Sequence, residues 1–506
     1  MGRCGVADTL KMALVHPRLK RGGPEYNLAL LLELNRRAAR SGARVILNTE
    51  LALSGYTFAG RDEMASCAQS LEGPACRALG ALAREFGVYL CLGLAEREPK
   101  TGILYNSAVI LNPQGRVAAL RRKVSAEPRW ACPGPARQVD VCDTPFGRLG
   151  LLLCSETYFG LLPRVQALKG VDLLLVPANW PARGLDPLEM WRARAWENGF
   201  FLAACNRAGR EPGMDFSTAP SCVCGPGGEP LLARRSQASQ VFMAELPLED
   251  GRLATVRPQR LAGRRPGLYY GAYPYLRQAQ MDLGGYYGLP EPGPLALHCH
   301  GKVVGLKELQ DILAGLDPET VHLLVLPAGS LPDSGGKKLL PLLRESPARA
   351  AVFWHQPQAG HLCWLTPDHG LERLPAQGEE PVMRDWGPAR VGLCRLEDFR
   401  HPELAAALAK QGCDLAAVSD GAAGELFLPG LAVKSLERLG LAVALAEKAI
   451  ICQPPEGHRR WEEVLAPPGG SCCLLLDTTP LRRRFFLDRV DYPWLWSAEP
   501  DAGGQA

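Results

Sequence analysis

The chain has 506 residues, 47% of them hydrophobic and 22% charged, a globular composition too long for one core, since single cores stop growing near ~250–300 residues. A net charge of +4 is too small to argue for nucleic acid or an acidic membrane surface, and no apolar run approaches the ~18 residues of a spanning helix. The 17 cysteines include no Cys-x-x-Cys pair, which disfavours a zinc site; their odd number and the lack of a signal pattern point to a reducing cytoplasm.

Met12 to Val15 reads as a first strand. Leu28, Leu31, Leu32 and Leu34 give a helical face from Asn27 to Arg40, closed by Ser41-Gly42. The next strand, Arg44 to Asn48, runs straight into Thr49-Glu50, so an apolar strand ends on a carboxylate. A helix from Pro74 to Phe86 leads to a strand at Val88 to Leu92. Tyr105 to Leu111 and Val117 to Leu120 form a hairpin about Asn112-Pro113-Gln114-Gly115, which delivers Arg121-Arg122-Lys123.

Leu149 to Leu153 is a further apolar strand and ends abruptly at Cys154. Polar Ser155, Glu156 and Thr157 follow, then a helix-length segment to Lys169 and a strand from Asp172 to Val176. Short apolar runs without polar alternation are what strands covered on both faces look like. A cysteine where such a strand turns into a helix meets backbone N–H groups that favour a thiolate, which makes Cys154 the expected most reactive thiol of the chain. Only His16 among the nine histidines lies in the first 297 residues, so the base for this thiol is sought among carboxylates. Beyond it, Pro187 to Asn198 reads as a helix, Phe200 to Ala204 as a strand and Ser221 to Leu231 as a hairpin.

Three strand ends thus offer Glu50, Lys123 and Cys154. Together they resemble the carbon–nitrogen hydrolase (nitrilase) superfamily, whose members use a Glu–Lys–Cys triad on an αββα sandwich. The resemblance covers the first half and includes Glu50 to Tyr56, Tyr105-Asn106-Ser107, Arg122-Lys123, Glu127 to Gly134, Cys154-Ser155-Glu156, Pro177 to Pro181, Glu197-Asn198-Gly199 and Asn206-Arg207, in the family's order. The loop from Lys123 to Glu127 is shorter than usual for the family. The resemblance implies Glu50 as base, Lys123 with the backbone N–H after Cys154 as oxyanion donors, Glu127 as a second glutamate, and Ser155, Asn179 and Trp180 toward the substrate. It implies no metal or other cofactor.

Tyr269 to Pro294, rich in Tyr, Gly and Pro, reads as a linker, which sets a first domain at 10–270, a linker at 271–295 and a second domain at 296–496; 498–506 reads as a frayed end. The second domain looks like a damaged copy. Val391 to Asp398 aligns with Leu149 to Glu156 at an offset that puts Leu396 on the nucleophile. Ala328 or Gly329 falls on the glutamate, and no lysine occurs between Lys338 and Lys410. His298-Cys299-His300 opens its first strand and reads as strand histidines rather than a metal clip. The expected architecture is α/β, a four-layer αββα sandwich in two tandem copies that pair as an intramolecular pseudo-dimer, with further homo-oligomers open. The expected activity is hydrolysis of a small amide through a cysteine thioester. A nitrile hydrolase and a non-catalytic binding or assembly protein on the same scaffold remain the alternatives. The partner is a small-molecule amide or nitrile, with no nucleic acid and no membrane.

Overall fold

Strands whose residues are buried on both faces build the first part of the chain, and helices with one apolar face cover them. In the computed structural model, residues 8–181, 184–273, 282–331, 333–422, 426–456, 459–484, 486–487 and 489–496 are described. The elements of the first part are β1 (Thr9–His16), α1 (Pro24–Arg40), β2 (Val45–Asn48), α2 (Pro74–Phe86), β3 (Tyr89–Arg97), β4 (Leu104–Leu111), β5 (Val117–Arg122), β6 (Val141–Thr144), β7 (Gly147–Leu151), α3 (Leu161–Leu168), β8 (Leu173–Pro177), α4 (Pro187–Asn198), β9 (Phe201–Cys205), β10 (Ser221–Cys224), β11 (Pro230–Arg234), β12 (Gln240–Glu249) and β13 (Arg252–Leu253).

One large sheet has the order β13-β12-β1-β2-β3-β4-β5 and the other large sheet β11-β10-β9-β8-β7-β6. Met12, Leu14, Val45 and Leu47 of the first sheet pack against Leu149, Leu151, Leu173 and Leu175 of the second. The alternate residues of the first sheet, among them Ala13, Val15 and Ile46, pack under Leu31, Leu34, Leu79 and Leu82 of α1 and α2. The period-2 alternation of strand side chains separates these two cores. Both helices begin on proline, and α2 stops at Gly87 with φ 66°, the left-handed stop that glycine supplies without strain. The long strand β12, whose residues 240–247 pair antiparallel with β1, was not anticipated; its polar and apolar residues alternate too weakly to mark it.

The second part contains β14 (Pro294–His300), β15 (Val321–Val325), β16 (Arg349–Gln356), β17 (His361–Thr366), β18 (Gly370–Pro375), β19 (Val382–Trp386), β20 (Ala389–Cys394), β21 (Leu415–Ala422), β22 (Gly440–Ala446), β23 (Lys448–Gln453), β24 (Glu462–Leu465) and β25 (Ser471–Asp477). Its sheets run β18-β17-β16-β15-β14-β25 and β19-β20-β21-β22-β23-β24. Apart from β13, every strand has the neighbours, parallel or antiparallel, of its counterpart in the first part. The detail repeats as well. Arg148 donates its backbone N–H to Asp172 Oδ2 at 2.8 Å and its Nε to Asp143 at 2.7 Å. Arg390 does the same to Asp414 Oδ2 at 2.9 Å and to Asp385 at 2.8 Å.

The chain divides into two compact units, Met1–Ala262 with Arg489–Ala506, and Gly263–Asp488. The division therefore falls before the expected boundary at 270, and it is not sequential. Pro266–Ala272 is a 3₁₀ turn of the second unit, where Lys410 Nζ donates to the Ala272 carbonyl at 3.0 Å. The turn Tyr492–Trp496 packs on α3 in the first unit. Within the expected linker, 274–281 lies outside the described residues, as does the expected frayed end from 498. Among the described residues no helix is long and apolar enough to cross a membrane.

Candidate active site

The end of β2 passes through Asn48 and Thr49 to Glu50, and the next residue, Leu51, has φ 48°. Cys154 itself has φ 43°. Non-glycine residues in this region cost of order 1–3 kcal/mol each and persist where the surroundings fix them. Here the chain leaves a buried strand and must turn at once, so the strain points the first polar side chain across the strand ends. The sharp turn at Cys154 is a 3₁₀ turn, Cys154–Tyr158, and the helix-length segment after it contains α3.

Glu156 stitches two strand ends together. Its carboxylate accepts the backbone N–H of Leu153 and of Val124, each at 2.8 Å, and Arg121 Nη2 at 2.8 Å. It therefore fixes the residue before Cys154 and the residue after Lys123 on one anion. Arg121 in turn pairs with Asp140 at 2.8 Å, which also holds Lys169 at 2.8 Å. The turn is closed from behind by Thr157, whose hydroxyl donates to the Cys154 carbonyl at 2.7 Å and receives Trp191 Nε1 at 3.1 Å. Arg194, paired with Glu197 at 2.7 Å, donates to the carbonyls of Thr157 and Tyr158.

Glu50, Lys123 and Glu127 meet in the space this scaffold encloses. Lys123 Nζ lies 2.7 Å from Glu50 Oε1 and 2.6 Å from Glu127 Oε1. Asn106 Nδ2 donates to Glu50 Oε1 at 2.8 Å and to Glu127 Oε2 at 2.9 Å, and the Tyr56 hydroxyl donates to Glu127 Oε1 at 3.1 Å. The backbone N–H of Asn179 donates to Glu50 Oε2 at 3.0 Å. The short loop from Lys123 thus brings Glu127, four residues on, back to the same ammonium.

The two carboxylates are driven apart. Burial raises Glu50 above the usual carboxylate range, partly offset by Lys123. Burial also works against the Glu127 carboxylate, but the Lys123 charge prevails and holds it below that range. Lys123 is pushed well above its ordinary value because the two glutamates overcome its desolvation. Pairs separated in this way divide into a proton carrier and a permanent anion. Burial, and then the Glu50 charge, raise the Cys154 thiol well above its ordinary value. Desolvation thus outweighs the backbone N–H of Asn179, which acts in the thiolate's favour.

The remaining expected residues have other partners. Asn179 Nδ2 donates to the Glu50 backbone carbonyl at 2.7 Å, so this side chain holds the Glu50 main chain. Trp180 Nε1 donates to the Leu185 carbonyl at 3.1 Å, and its ring packs edge-on against Trp191. Ser155 Oγ lies 3.2 Å from Ser125 Oγ. Asn106 and Tyr56 were passed over as site residues. Their motifs, Tyr105-Asn106-Ser107 and Gly55-Tyr56, are visible, but neither a polar residue inside a strand, as Asn106 is, nor one at a bend, as Tyr56 is, carries a mark of what it faces.

In the second unit, Leu396 and Ala328 lie just after β20 and β15. Their backbone N–H groups donate to Asp420, to Oδ2 at 3.1 Å and to the carbonyl at 3.0 Å.

A family model described as carbon–nitrogen hydrolase matches residues 11–255. The chain is 32% identical over 217 residues to a probable nitrilase of Schizosaccharomyces pombe, covering 41% of this chain and 77% of that protein. It is 32% identical over 228 residues to a nitrilase of Pyrococcus abyssi, covering 44% and 85%. An omega-amidase of Xenopus laevis is 27% identical over 254 residues, with 46% and 86% covered. On these matches the chain belongs to the carbon–nitrogen hydrolase family.

Proposed function

We propose that the first unit hydrolyses the carbon–nitrogen bond of a small amide through a thioester on Cys154, releasing ammonia or an amine. The observation that carries this reading is one buried ammonium, Lys123, held at 2.7 and 2.6 Å between two carboxylates of opposite pKa displacement. An amide carbon is a weak electrophile with a poor leaving group, so a covalent route divides the reaction into two easier steps. Glu50 takes the thiol proton as sulfur attacks and passes it to the departing nitrogen; it then removes a proton from the water that opens the thioester. Lys123, with the backbone N–H after Cys154, holds the oxyanion, a donor worth ~10²–10³ in rate. Glu127 remains ionised and keeps Lys123 charged and aimed. Ser155 and Trp180 stand at the substrate side of the site.

The second unit is a degenerate copy without a triad, and it serves as a built-in partner of the first in an intramolecular pseudo-dimer. The shared strand order and the repeated Asp–Arg–Asp arrangement support the copy. The wild-type chain, Cys154→Ala and Glu50→Gln are tested for ammonia release on a panel of aliphatic amides and the matching nitriles. Amide turnover lost in both variants is the expected result. Turnover of nitriles alone moves the activity to the nitrilase branch, and no turnover of any compound favours a binding protein.

A further inference from the structure

A carboxylate oxygen has two lone pairs in its plane. On Glu50 those of Oε1 are both taken, by Lys123 Nζ at 2.7 Å and Asn106 Nδ2 at 2.8 Å. Oε2 accepts the Asn179 N–H at 3.0 Å, and among the described residues it keeps a lone pair. The Asn179 N–H also favours the charged form of Cys154, so one backbone donor acts on both Oε2 and the thiol.

Asn106 is fully buried on β4, and its backbone carbonyl accepts the Lys123 N–H at 2.8 Å. Its amide and the lysine therefore rise side by side from adjacent strands. Both N–H bonds of Nδ2 go to carboxylates, and Oδ1 has no hydrogen-bond partner among the described residues. Turning the amide over would set its oxygen against two carboxylates, which fixes its orientation.

We propose that Asn106 is a positioning residue that, with Lys123, saturates Glu50 Oε1, leaving Oε2 as the oxygen that takes the Cys154 proton while Glu127 is clamped by the same amide. The inference rests on the proposed amide hydrolysis. As sulfur bonds the carbonyl carbon, the S–H bond breaks, the proton goes to Oε2 and the carbonyl electron pair goes to its oxygen. When the carbon–nitrogen bond breaks, the Oε2 proton leaves with the nitrogen. The amide's bonds also lower the proton affinity of both glutamates.

The test uses the full chain carrying Asn106→Leu, which has no donor, and Asn106→Ser, which keeps one. Two pH profiles are read: kcat and KM on the best amide of the panel, and the rate of Cys154 alkylation by iodoacetamide, which needs no turnover. Asn106→Leu is expected to lower kcat by ~10–100-fold, part of the value of a general base, with KM within about twofold. The acid limb of both profiles should move to higher pH, and Asn106→Ser should fall between. If Asn106→Leu does not fold, Asn106→Ser decides. Limbs that stay in place, or a raised KM with kcat intact, overturn the proposal. If no amide turns over, the functional reading fails, while the alkylation profile still decides on Asn106.

Discussion

Gly93 lies so close to Glu50 that a Cβ built on it would stand 2.7 Å from the Glu50 Cα and 2.6 Å from the Thr49 carbonyl oxygen. Both neighbours are backbone, so neither can swing away. Gly93→Ala should therefore displace the base without touching any polar group of the site. The expected outcome is a kcat at least ~10-fold lower, because small misplacements of a catalytic group are costly, with a fall in Tm measured on the same sample.

Glu50→Gln should abolish turnover and yet stabilise the fold. An acid whose folded pKa is raised weakens stability as pH climbs past its unfolded value, and Glu50 is such a group because of burial. Glutamine removes that cost and leaves Lys123 paired with Glu127. A gain of about 1 kcal/mol corresponds to ~2–4 °C in a domain of this size, read by thermal unfolding at pH 7. A lower Tm would show that the Glu50–Lys123 attraction outweighs desolvation.

Glu211 supplies the opposite case. It accepts the N–H groups of Tyr56 and Thr57 at 2.9 and 2.8 Å and pairs with Arg207. Burial opposes its charge, but Arg207 and these donors hold it below the usual carboxylate range. A depressed folded pKa gives stability that is present above the unfolded value, ~4.3, and lost as pH falls through the folded one. Glu211→Gln should lower Tm at pH 7 and flatten its decline below about pH 4.3. Activity should fall with it, since Tyr56 loses its support on Glu127.

Thiol labelling separates reactivity from exposure. Cys132 and Cys473 are exposed, while the other described cysteines are buried. Iodoacetamide at neutral pH should modify these two without loss of activity. Inactivation should follow Cys154 one for one and slow in the presence of a competing amide. Inactivation that tracks Cys132 instead would remove Cys154 from the nucleophile's role.

Strand ends were the legible part of the site. Cys154 directly follows an apolar run, and Glu50 and Lys123 follow one after two polar residues, so each shows in one dimension. The helices at Pro74–Phe86 and Pro187–Asn198 were equally plain, because a proline start and a glycine stop mark both ends. What stayed hidden depended on partners far along the chain. Asn106 matters through Glu50, 56 positions away, and the protonation of Cys154 follows from burial that no local pattern encodes. The division of the units escaped for the same reason: nothing in the residues after 488 announces the surface they cover.

That returning segment bears on how the protein is made. Arg489 Nη1 donates to the Gly134 carbonyl at 3.1 Å, and the Gly134 N–H is bonded to the Lys123 carbonyl at 2.9 Å. The loop between the lysine and its Pro-Gly end is thus braced by residues translated after the whole of Gly263–Asp488. At ~5–20 residues per second, a ribosome spends on the order of ten seconds or more between the two. A nascent chain passes that interval with Cys154 and its neighbours already emerged but their brace unmade, so the first unit is completed last although most of it is synthesised first.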